Sequence, residues 1–96
     1  MITPNNIIRH ELIGLNVEII DSTNPNLISI KGRVVDETKN TLLIEKFKDG
    51  KEVRVPKDIC TFRFELKDVY VDVMGIYIVG RPEDRLKKKI KVIYPY

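Results

Sequence analysis

The chain is short of the residues that most often carry chemistry. It has one cysteine, Cys60, one histidine, His10, and no tryptophan. A single thiol excludes an intrachain disulfide and a cysteine-based metal cluster. There is no glycine-rich phosphate loop, no paired nucleophile and base, and no spacing that suits metal ligands. Long apolar runs are missing too. None approaches the roughly 18 residues of a membrane span, and the start, "MITPNNIIRHE", lacks the apolar centre of a signal peptide. No membrane contact and an intracellular, cytoplasmic setting are therefore expected. What is there, 43% hydrophobic and 32% charged residues in a length of 96, suits one globular domain with a modest core.

The apolar residues follow two periods. Thr3 and Pro4 make an N-cap and first-turn pair, and Ile7, Ile8, Leu12 and Ile13 recur at helical spacing before Gly14. A short helix and arm with one apolar side is expected over residues 1–15. From residue 16 to residue 80 the period becomes two. Val17 and Ile19 alternate with polar neighbours, and "DSTNPN" is dense in turn formers. Ile28, Ile30, Gly32 and Val34 share one phase, with Lys31 and Arg33 on the other. A turn near Thr38 to Asn40 leads into Thr41 to Phe47, and "KDGK" marks the next hairpin. Val53 and Val55, then Cys60, Phe62, Phe64 and Leu66, then Val69, Val71, Val73, Ile76 and Ile78 continue the alternation. About six short antiparallel strands must curl to hide one apolar face, and a small barrel also removes exposed edges. Gly32 and Gly75 are placed in mid-strand, where they permit bends or bulges.

Charge is uneven along the chain. In "GRPEDRLKKKIK", residues 80–91, six basic residues face only Glu83 and Asp84, a net +4, while the whole chain is +3; residues 1–80 therefore carry −1. Such asymmetry hints at nucleic acid or a membrane surface. A helix explains part of the stretch. Pro82 fits the first position, the acids lie near the positive end of the dipole, and Glu83 and Asp84 reach Lys87 and Lys88 at i,i+4. Arg81, Arg85 and Lys89 are left without a partner at these spacings. Leu86 and Ile90 would dock the helix, and "IKVIYPY" reads as a terminal tail, so residues 81–96 are taken as a basic helix and tail.

Independent catalysis is not expected. His10 reads as a surface or packing residue in the presumed helix, and Cys60 as a buried, inert thiol on the apolar phase of its strand. Asp36 and Glu37 are adjacent, and neighbouring strand residues point to opposite faces. Binding is the better prospect, since small barrels hold nucleic acid with basic groups on phosphates and flat groups against bases. Lys31, Arg33, Lys39 and Asn40, with Arg54 and Lys57 further on, lie on the polar phase; any solvated strand face also looks like this, and Asn40 suits a turn in its own right.

The order "HELIGLNVEIIDSTNPNLISIKGRVVDETKNTLLI", "VPK", "F.F.L" and "GRPEDRLKKK", from His10 to about Lys89 with no large insertion, resembles the archaeal ribonuclease P protein component 1 family. The combination of "G.V.DET.NTL" with "GRPEDR.KK" carries the resemblance. It implies a strongly curved antiparallel barrel of Sm-like type with short N- and C-terminal helices. It also implies a subunit of the ribonucleoprotein that removes the 5′ leader from precursor tRNA. In that particle the RNA carries the chemistry and the magnesium ions, and the proteins shape it. A zinc-ribbon subunit is the implied direct partner, alongside other ribonuclease P proteins, with precursor tRNA reached indirectly. Asp36 and Asn40 match the Asp-then-Asn spacing of the Sm strand–turn–strand motif, but Gly32 lies closer to Asp36 than in that motif, so the uridine-binding ring of Sm proteins is not implied.

The expected mechanism follows. The barrel is a platform, and Lys31, Arg33, Lys39, Asn40, Lys57, Arg81, Arg85, Lys87, Lys88 and Lys89 face the ribonuclease P RNA. Ile7, Ile8 and Leu12 offer apolar surface to the protein partner. The alternative is a barrel adaptor that joins proteins and touches no RNA.

Overall fold

The computed structural model describes Ile7, residues 10–80 and the strand 91–93. The alternation read in the sequence becomes seven strands: β1 Asn16–Ser22, β2 Lys31–Glu37, β3 Thr41–Lys46, β4 Glu52–Pro56, β5 Cys60–Leu66, β6 Val69–Met74 and β7 Lys91–Ile93. They form a single antiparallel sheet in the order β4-β3-β2-β1-β5-β6-β7. The order is linear, with β4 and β7 at its two ends, and no pairing among the described residues joins them.

Strand β5 shows how the pattern works. Cys60, Phe62, Phe64 and Leu66 are buried, while Thr61, Arg63 and Glu65 point to the wetter face. Phe62 and Phe64 stand with ring centroids 5.9 Å apart, tilted by 34°. Val17, Ile19, Val34, Leu42, Ile44, Val55, Val71 and Val73 join them in one core, so one face of the sheet supplies nearly all of it. Burying each such side chain is worth about 1.5–3 kcal/mol. Ile30, expected in that core, is only partly buried, because β2 begins one residue later, after a 3-10 turn at Pro25–Leu27 and Ser29 at positive φ.

Two strands carry a β-bulge. The register shifts between Ile19 and Asp21 in β1, and between Val34 and Asp36 in β2. An extra residue reverses the inward phase beyond it. In β2, Gly32 and Val34 face inward before the bulge, and Glu37, opposite buried Leu42, faces inward after it.

Three expectations change. Residues 10–15 are not the end of a helix: His10 N–H donates to the Ile7 carbonyl at 3.1 Å, and a turn at Ile13 and Gly14 follows. Gly14 N–H then donates to the Val34 carbonyl at 2.8 Å, and Val34 N–H to Leu15 at 2.9 Å. A short isolated helix is a weak competitor against such pairing to a strand. Gly75 is not in mid-strand. It opens a 3-10 turn, Gly75–Ile78, and a Cβ there would overlap the carbonyls of Lys57 and Cys60. Part of the supposed tail is strand β7, with Lys91, Val92 and Ile93 opposite Asp72, Val71 and Tyr70. The expected helix over 81–90 lies outside the described residues.

Candidate functional site

Four separate stretches of chain meet at one corner of the sheet. The β2–β3 turn brings Thr38, Lys39 and Asn40. Its form is fixed locally: Thr38 N–H donates to the Thr41 carbonyl at 3.0 Å, Thr41 N–H to Thr38 Oγ1 at 3.1 Å, and the two hydroxyls lie 2.6 Å apart. Arg54, from β4, donates to Thr41 Oγ1 at 3.0 Å. Lys57 follows β4, and its N–H donates to the Asn40 carbonyl at 2.8 Å. Gly80 closes the corner from the other side, its N–H donating to the Lys39 carbonyl at 2.8 Å.

Lys57 and Glu37 lock this arrangement. The ammonium group of Lys57 sits 2.7 Å from Glu37 Oε2, and it also donates to the carbonyls of Thr38 at 2.8 Å and Lys39 at 3.3 Å. The other Glu37 oxygen accepts from Leu12 N–H at 3.2 Å. The Lys57 side chain is 0% exposed and that of Glu37 7%. Breaking one partner of such a buried pair costs about 3–5 kcal/mol, because the other charge is stranded. The pair therefore ties the N-terminal segment, the turn and the end of β4 into one unit.

The expected phosphate contact by Lys57 is thus corrected. Val53, Val55 and Lys57 share one strand phase, and that phase faces inward. The signal lay in the sequence, but a lysine on an inward phase needs a buried carboxylate, and the bulge that turns Glu37 inward is not legible there. Ile7 and Leu12 are corrected too. Both are 0% exposed and belong to the chain's own core, so neither is open to a partner in this form. Ile8, Arg81, Arg85, Lys87, Lys88 and Lys89 lie outside the described residues.

The remaining candidates are solvent-facing. Lys39 and Asn40 are exposed on the locked turn, beside Gly80. Lys31 and Arg33 project from the outer face of β2, on the strand whose far end carries the turn. Arg33 lies 3.8 Å from Glu45 across the β2–β3 ladder, an exposed pair of small energetic weight. The outer face is a registered ladder of opposite charges: Lys31 opposite Glu18, Glu18 opposite Arg63, and Arg63 opposite Asp72. Arg63 holds Asp72 in a two-pronged contact of 2.7 and 3.0 Å, which raises the guanidinium's pKa further. The sequence reading passed over this pair, because cross-strand register cannot be read from one strand.

No group of three or more His, Cys, Asp or Glu that could hold a metal occurs among the described residues. Cys60 is buried, and burial pushes its thiol pKa up. No helix among the described residues is long and apolar enough to cross a membrane.

The family described as Ribonuclease P/MRP, subunit p29, matches residues 5–88. Ribonuclease P protein component 1 of Methanocaldococcus jannaschii is 64% identical over 96 residues, the full length of both chains, and that of Methanococcus aeolicus 60% over the same span. That of Pyrococcus abyssi is 49% identical over 89 residues, 92% of this chain and 68% of its own. A solved structure of Mth11, a homologue of human RNase P protein Rpp29, superposes with a TM-score of 0.58 at 49% identity, covering 80% of this chain and 99% of that one. A match of this length, spanning the locked turn, the buried lysine and the basic segment alike, means that the chain belongs to the ribonuclease P/MRP subunit p29 family.

Proposed function

We propose that this chain is the RNA-binding protein subunit of ribonuclease P that helps the catalytic RNA remove the 5′ leader from precursor tRNA. The observation that carries the reading is the full-length similarity to archaeal ribonuclease P protein component 1. The corner gives it a physical form. Gly80 is fixed against Lys39, so the residue that precedes the basic stretch sits beside exposed Lys39 and Asn40. Cationic groups gathered on one side neutralise phosphates and release counterions. An arginine offers a fork to a phosphate, and a lysine a point charge.

The protein's part is to favour the folded RNA. It does so by binding that conformer more tightly than looser ones. Magnesium and bond cleavage belong, on this reading, to the RNA. The curl of the sheet is read as the Sm-like barrel of the family, and the cytoplasm as its location. A zinc-ribbon subunit is the proposed direct partner; since Ile7 and Leu12 are used internally, it must meet other surface.

The test is binding of the cognate ribonuclease P RNA by the purified chain across a salt series. With about four phosphate contacts the slope of log affinity against log salt is expected near −3. An affinity that ignores salt overturns the electrostatic scheme. A complex that survives ribonuclease treatment and never contains RNA supports the protein adaptor instead.

A further inference from the structure

The tip of the β3–β4 hairpin carries features that the corner does not use. Phe47 is 62% exposed, the largest fraction among the exposed large hydrophobic residues described. One exposed aromatic is unremarkable on its own. Phe47, however, borders a groove of about 320 Å³, whose other walls include Lys31, Arg63 and Tyr70. Its backbone is held there, since Phe47 N–H donates to the Lys31 carbonyl at 3.1 Å. The tip is tightly built as well. Lys46 N–H donates to Lys51, Gly50 N–H to Lys46, both at 2.9 Å, and Lys51 N–H to the Asp49 carboxylate at 3.0 Å. Lys46 lies 3.5 Å from Asp49. Lys31, Lys48 and Lys51 are exposed, and none is in a close ion pair with a carboxylate among the described residues.

We propose that this tip and groove bind an unpaired nucleotide of an RNA strand, the base stacked on Phe47 and the flanking phosphates on Lys31, Lys48 and Lys51. The proposal rests on the RNA-binding reading above and adds a second contact to it. Charge argues for the occupant. Lys31 and Arg63 line the groove together with Glu18 and Glu65, and Lys48 and Lys51 stand exposed on the hairpin tip that carries Phe47. Those carboxylates repel phosphate and accept N–H groups, so the groove suits a neutral base rather than the backbone. Stacking on an aromatic ring tolerates any base, since each has a flat face. The surface is separate from the corner. Lys31 opens β2 and Glu37 ends it, which sets the two sites roughly 20 Å apart at about 3.3 Å per strand residue. Two points so spaced hold two segments of one folded RNA.

The experiment measures affinity of the full chain for ribonuclease P RNA, and for a short unstructured oligoribonucleotide, over a salt series. Phe47→Ala is expected to weaken both by about ten-fold with an unchanged salt slope, and Phe47→Trp to restore binding, as stacking demands. Lys48→Ala with Lys51→Ala is expected to flatten the slope by between one and two units. Circular dichroism melts serve as the folding control, since Phe47 lies outside the core. Wild-type affinity in Phe47→Ala overturns the proposal and leaves the corner as the RNA contact. Equal weakening in the Ala and Trp variants also overturns it, because stacking is then not the interaction. Retained RNA affinity with loss of a protein subunit in pull-downs assigns the tip to a protein. If even the wild type ignores RNA, the broader reading falls with it.

Discussion

The ammonium group of Lys57 lies 2.7 Å from Glu37 Oε2 with both side chains withdrawn from water. The same ammonium group holds two carbonyls of the turn that displays Lys39 and Asn40. A charge pair of this kind is a poor source of net stability, since apolar replacements are often neutral or better. Its worth here is geometric: it fixes one turn and the segments that arrive at it.

Removing half of the pair should be severe. Lys57→Met leaves Glu37 buried and uncompensated, and a loss of about 3–5 kcal/mol is expected in urea unfolding. Lys57→Met combined with Glu37→Gln should recover much of that loss, because the amide oxygen still accepts from Leu12 N–H and no charge is stranded. If the double variant is no more stable than the single one, the charge argument fails.

Gly32 should not tolerate even a methyl group. A Cβ there would overlap the main-chain carbonyl of Glu45 in the neighbouring strand, where no side chain can move aside. Gly32→Ala is expected to cost about 1–3 kcal/mol, a fall in melting temperature of at least several degrees for a domain of this size. A melt unchanged from wild type would show that β2 and β3 separate more easily than their packing implies.

Cys60 should react slowly while the chain is folded. Burial, the largest influence, disfavours its thiolate and raises its pKa. A raised folded-state value means that stability is fully present below the unfolded thiol's pKa, roughly 8.5, and declines as pH rises through the folded one. Iodoacetamide labelling at pH 8 should be at least ten-fold slower in buffer than in urea. Equal rates in the two conditions would contradict the buried placement.

Charge reversal at the corner should act through salt dependence. Lys39→Glu is exposed and outside the core, so its melt should match wild type. Its RNA affinity should fall, and the slope against log salt should become shallower by about 0.7–0.9. A weaker affinity with an unaltered slope would mean that Lys39 does not touch phosphate.

Strand phase was open to reading where the strands are regular. Phe62, Phe64, Val71 and Val73 fall on the apolar phase and are buried, as expected. The errors cluster where tertiary contacts overrule a local period. Glu37 faces inward only because the β2 bulge inserts a residue near Val35. Lys57 then follows the inward phase of β4, although a lysine after Pro56 looks like surface. Leu12 has helical spacing, but its N–H is taken by the Glu37 carboxylate and its side chain by the core. The charge ladder from Lys31 to Asp72 was hidden for another reason, since it runs across strands rather than along them.

The pairing of Lys91 with Asp72 gives the basic segment a second fixed end, the first being Gly80 on Lys39. The chain that leaves Gly80 has therefore to return to the sheet at Lys91. A span anchored twice has far fewer placements than a tail of equal length, so less freedom is forfeited when a polyanion arrives. The short strand β7 works as a clasp, returning the chain to the end of the sheet after the ten residues that follow Gly80.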